Sequence, residues 1–105
     1  MLDGRDENGL HYAIRIPDHQ LNAADGVVIV RNPKDAPFVI NHVDVSRKHV
    51  RLKVVQSRTF IEDLGSTNGT CVNGQNIENK GLVAVEYGDQ IMVGSVAMEF
   101  QVLQR

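Results

Sequence analysis

Two short polar stretches hold most of the chemistry this chain could do: Ser46-Arg47-Lys48-His49, and Ser66-Thr67-Asn68-Gly69-Thr70. Together they supply hydroxyls, a side-chain amide, cations and a glycine that lets backbone N–H groups approach a ligand. That set of groups suits an anion. Arg31, at the end of an apolar run, adds a planar fork of donors matched to phosphate oxygens. Neither stretch pairs a nucleophile with a base, so the chemistry is that of holding a group rather than of making or breaking bonds.

The remaining reactive side chains read as structural. A catalytic cysteine needs a basic partner and a lowered pKa, and nothing near Cys71 supplies either, so it reads as a small half-buried strand residue. His42 and His49 lack the cysteine or carboxylate spacing of a metal site, and His11 and His19 read as exposed. No metal and no cofactor is expected. Asp63 and Asp89 fall at strand–turn junctions, where aspartate accepts from backbone N–H groups, and Gly74 and Gly88 serve turns. The neutral ring of His49 is expected to bridge backbone groups of neighbouring loops.

The elements that must position these residues are strands. Val50, Leu52 and Val54 alternate with Arg51 and Lys53, and Met98, Phe100 and Val102 alternate with Glu99 and Gln101. Further short runs at 10–16, 27–31, 38–40, 59–63, 71–73, 82–85 and 90–94 fit the same reading. Asp25-Gly26, Asn32-Pro33, Gly65-Ser66, Asn68-Gly69, Asn73-Gly74 and Gly88-Asp89 punctuate them as turns. No helical stripe of useful length appears. The pattern predicts an all-β sandwich, whose loops gather at its two ends. Three connections, 31–37, 41–48 and 64–70, are rich in polar side chains. If they share one end, Arg31, Ser46, Arg47, Thr67 and Asn68 converge on one ligand.

Composition bounds the rest. The 105 residues suffice for one domain with a single core. A net charge of −2 argues against a general nucleic-acid binder. No apolar run approaches the roughly 18–20 residues of a membrane span, so no membrane insertion is expected. One cysteine cannot form an internal disulfide, which fits a reducing compartment and places the protein in the cytoplasm. Residues 1–9, charged and polar, read as a flexible tail or linker remnant ahead of a domain at 10–105.

Taken in order, Arg31 closing a strand, Ser46-Arg47-Lys48-His49, Asp63 through Thr70, Asn73-Gly74 and Gly88-Asp89 resemble the forkhead-associated (FHA) domain family. The resemblance runs over nearly the whole chain. It implies a sandwich of about eleven strands that binds phosphothreonine peptides through loops at one end, without catalytic activity. The implied partner is a phosphothreonine-containing protein, and hence an upstream Ser/Thr kinase. Arg31 matches the family's phosphate-binding arginine, and Ser46 the serine that holds the phosphate. Arg47 stands where the family often adds a phosphate contact. Thr67 matches a residue touching the phosphate or the threonine, and Asn68 the asparagine that bonds the peptide backbone. His49 and Gly69 match positions that shape the loops. Val30 departs from the glycine usual before the arginine, and favours a second reading: a phosphate-independent interaction or assembly domain on the same fold.

Overall fold

Alternating β-branched and polar residues produce ten strands and one four-residue helix in the computed structural model, which describes residues 1–102. The strands are β1 (Leu2–Arg5), β2 (His11–Ile14), β3 (Val27–Val30), β4 (Lys48–Val55) and β5 (Arg58–Asp63). They continue with β6 (Thr70–Val72), β7 (Gln75–Asn76), β8 (Val83–Val85), β9 (Gln90–Val93) and β10 (Val96–Phe100). Helix α1 (Asp18–Leu21) follows Pro17, whose fixed φ suits a helix start. Two antiparallel sheets result, one ordered β2-β1-β10-β9-β6-β7 and the other β3-β4-β5-β8. The expected all-β sandwich is therefore present. Segment 38–40, expected as a strand, makes only a single bridge from Val39 to Val30.

The two inner faces supply the core. Val50, Leu52 and Ile61 from one sheet, and Ile91, Val93 and Val96 from the other, are fully buried. Burying a side chain of this size stabilises the fold by about 1.5–3 kcal/mol. Alternation holds through Met98 and Phe100 but stops there, since Val102 is exposed. No helix among the described residues is long and apolar enough to cross a membrane.

One expectation is corrected. Residues 1–9 are not a tail: β1 lies between β10 and β2, with Leu2 opposite Phe100 and Ile14. Leu2 is completely buried and anchors the strand. Asp6 closes the following turn, its Oδ1 accepting from the N–H groups of Asn8 and Leu10. Gly9, at φ +79°, completes an Asn-Gly hairpin signal that the polar surroundings concealed. The last three positions of the expected domain, 103–105, lie outside the described residues.

Candidate functional site

Strand register brings the cations together. In the β3–β4 pair Val30 lies opposite Lys48, so Arg31 and Arg47, the next residue out on each strand, leave the sheet at the same end. In the β4–β5 pair Val50 lies opposite Asp63, so the 64–69 loop starts from that end too. Thr70 then pairs with Val93 in the other sheet. The loop thus crosses from one layer to the other over the mouth of the sandwich.

His49 ties these segments together. Its ring is completely buried, and its Nδ1 accepts the Ser46 N–H at 2.9 Å. The proton must therefore sit on Nε2, which donates to the Gly69 carbonyl at 2.8 Å. Burial pushes the ring's pKa down, favouring this neutral form, against the Gly69 contact and the Asp63 and Glu78 charges. Gly69, at φ +83°, adopts the left-handed region that favours glycine, and a Cβ there would lie 3.1 Å from Glu78 Oε1. Asp63 fixes the rest of the loop, accepting from the Gly65 and Ser66 N–H groups and the Ser66 and Thr70 hydroxyls. Burial raises its pKa, but those hydrogen bonds outweigh burial and hold it below the usual carboxylate value. The contacts of His49 and Asp63 thus run to backbone and hydroxyl groups of these loops.

A cleft of about 460 Å³ opens at this end, lined by Arg31, Ser46, Arg47, Thr67 and Asn68 together with Val43, Val45, Lys48 and Gly65. All five residues expected to meet a ligand therefore share one cavity. The Ser46 Oγ accepts the Thr67 N–H at 3.0 Å, which leaves its own proton to donate outward. That same bond occupies the Thr67 N–H, so Thr67 has its hydroxyl to offer. The exposed Asn68 amide donates from Nδ2 to the Asp44 carbonyl at 3.0 Å, so its oxygen faces outward as an acceptor. Arg31 has no hydrogen-bond or ion-pair partner among the described residues, whereas Arg47 lies 3.6 Å from Asp35. Three cations and no carboxylate line the cleft, a local positive field in a chain of net charge −2.

The FHA domain family matches residues 27–94, a span that takes in β3 through β9 and the loops of the cleft. The chain belongs to the FHA family. FHA relatives include PS1, an FHA domain-containing protein of Arabidopsis thaliana, 39% identical over 70 residues. The match covers 65% of this chain and 5% of PS1. The solved FHA domain of the CT664 protein from Chlamydia trachomatis shares the fold, with a TM-score of 0.75 and 19% identity over 98% of this chain and 96% of that one. Mycobacterium tuberculosis EmbR, solved in complex with a low-affinity phosphopeptide, matches with a TM-score of 0.68 and 25% identity. That match spans 99% of this chain and 25% of EmbR.

Three residues of this FHA domain take places that the sequence reading had not given them. Val30, the departure from the family's glycine, sits in extended backbone at a bulge, with its N–H bonded to the Phe38 carbonyl. It is 1% exposed and outside the cleft lining. A β-branched residue suits that strand geometry. Lys48 and Val43 also line the cleft although neither was expected there. Lys48 had a signal, as the third member of a polar run already assigned to the anion. The 83% exposed Val43 had none, because a lone apolar residue in a loop resembles any other.

Proposed function

We propose that this FHA domain binds phosphothreonine-containing protein segments and is a non-catalytic interaction module. The observation that carries the proposal is the single cleft shared by Arg31, Ser46, Arg47, Thr67 and Asn68. The guanidinium of Arg31 supplies the fork for the dianion, with Arg47 and Lys48 adding charge. The Ser46 and Thr67 hydroxyls donate to its oxygens, and the Asn68 carbonyl oxygen accepts from a peptide N–H beside the phosphothreonine. Charge-assisted hydrogen bonds contribute about 1.5–3 kcal/mol each, and ordering a flexible peptide removes part of the sum. Affinity near micromolar, about −8 kcal/mol, follows. EmbR's phosphopeptide complex supports the same use of the fold. A Ser/Thr kinase must act first on the partner, and the cytoplasm, where the lone Cys71 stays reduced, is the compartment that suits both.

Calorimetry with paired peptides tests the reading: the phosphothreonine form binds near micromolar and its unphosphorylated twin does not. Equal binding of both would replace this function with a phosphate-independent interaction domain. A phosphoserine peptide should bind about fourfold more weakly, because it lacks one methyl, worth roughly 0.8 kcal/mol, against the apolar wall of Val43 and Val45. Indistinguishable affinities for the two phosphopeptides would remove that contact.

A further inference from the structure

A second histidine joins the 41–48 loop to the turn between β1 and β2. His42 is 9% exposed, and its Nδ1 accepts the Asp44 N–H at 3.0 Å. A donor on that side puts the ring proton on Nε2, which donates to Glu7 Oε1 at 3.0 Å. Asp6 Oδ2 lies 3.9 Å from Nε2, and Asp44 Oδ2 lies 4.0 Å from Nδ1. Asp44 also accepts from the Ser95 hydroxyl at 2.6 Å. Its carbonyl, in turn, is the group that receives the Asn68 amide. A continuous chain of hydrogen bonds thus runs from Glu7 through His42 and Asp44 to Asn68.

Glu7, His42 and Asp44 each place a potential metal ligand within 4.8 Å of the others. A metal on Nε2 would need the lone pair there, however, and the ring proton would then move to Nδ1 and face the Asp44 N–H. The trio as placed is a hydrogen-bonded group with both ring nitrogens committed.

We propose that His42 is the positioning residue for Asn68, and that protonating His42 releases Asn68 from its binding orientation. The proposal rests on reading the cleft as a phosphopeptide site. A proton added at Nδ1 faces the Asp44 N–H, and two donors cannot share that contact. The Asp44 carboxylate, 4.0 Å away, turns to accept the new proton and leaves Ser95. The backbone at 44 moves with it, taking the carbonyl away from Asn68. The charged groups facing the ring are Asp6 and Glu7 from the β1–β2 turn and Asp44 from its own loop. Acid therefore exchanges one set of contacts for another.

Nuclear magnetic resonance of the free protein between about pH 7.5 and about pH 5, where imidazoles in general titrate, tests the linkage without any ligand. The Asp44 backbone amide and the Asn68 side-chain amide should shift with the midpoint of the His42 ring. In His42→Asn, whose Oδ1 can replace Nδ1 as an acceptor but does not titrate, that shared movement should vanish. In Glu7→Gln, which alters a largely exposed side chain, any change in the His42 ring signal should be matched by the Asn68 amide. An Asn68 signal that does not follow the His42 midpoint in these proteins overturns the proposal.

Binding gives a second measure. Acidification should weaken phosphothreonine-peptide affinity about two- to tenfold more for wild type than for His42→Asn, the effect of one hydrogen bond. The phosphate's own titration and that of His49 are common to both proteins and cancel. Equal losses would overturn the regulatory claim. If wild type binds no phosphopeptide at any pH, the function assigned to the cleft fails, while the resonance measurements still decide whether His42 controls Asn68.

Discussion

Arg31→Ala should abolish most phosphopeptide binding and leave the fold unchanged. The side chain stands beyond the end of β3, exposed and without a protein partner among the described residues, so little stability depends on it. Its removal leaves a dianion with one fork of donors fewer. Truncating one member of such a pair costs about 2–5 kcal/mol in binding, which is roughly thirtyfold or more. Arg47 and Lys48 line the same cleft and preserve some attraction, though Arg47 also answers to Asp35. Arg31→Lys should recover only part of the loss, since an ammonium keeps the charge and lacks the bidentate geometry. Fluorescence anisotropy with a labelled phosphothreonine peptide measures both variants, and circular dichroism checks the fold. Wild-type affinity in Arg31→Ala would show that the cleft holds its ligand without this guanidinium, and the phosphate-independent reading would then be preferred.

His49→Ala should act in the opposite way, on stability first. Two backbone groups lose their partners, the Ser46 N–H and the Gly69 carbonyl, and a fully buried ring leaves a void. Each unsatisfied buried group costs about 1–3 kcal/mol, so a total near 3 kcal/mol and a fall in Tm of more than about 10 °C are expected. The ring also gives the wild type an acid dependence. Its folded-state pKa is lowered, chiefly by burial, so its contribution is complete above the ordinary histidine value and is lost as pH falls toward the depressed one. In that window the unfolded chain binds the extra proton. His49→Ala should therefore show a shallower decline of stability below about pH 6.5. Chemical denaturation at several pH values provides the comparison; an unchanged midpoint at neutral pH would mean that His49 does not brace these loops.

How far the sequence disclosed this molecule depends on which physical signal each part leaves. The alternation of Val50 and Leu52 with Arg51 and Lys53 announced β4, because one face of that strand is buried and the other is not. Asn73-Gly74 announced the β6–β7 turn, since both residues take positive φ there. Strand β1 left almost no trace. Leu2 is its one large apolar side chain, and Asp3, Gly4 and Arg5 read as tail. The five cleft residues were legible as types, but their convergence depends on register, on Val30 meeting Lys48 and Val50 meeting Asp63. Register is a property of paired strands and is not written in either one alone. The Asp44 carbonyl under Asn68 was invisible for a related reason: it is a backbone group, and every residue carries one.

The unequal lengths of the connections at the two ends of β4 have a practical consequence. Its Lys48 end opens onto the cleft, whereas its Val55 end closes through Gln56 and Ser57, both at positive φ in a tight turn. The strand's eight residues separate the two by about 25 Å. Ser57 is exposed and has no part in the network around His49 or Asp63. A fluorophore or a surface tether attached there through Ser57→Cys, with Cys71 replaced to keep the chemistry unique, would leave the cleft facing solution. An immobilised domain of that kind could capture phosphorylated chains from solution with all its copies held in one orientation.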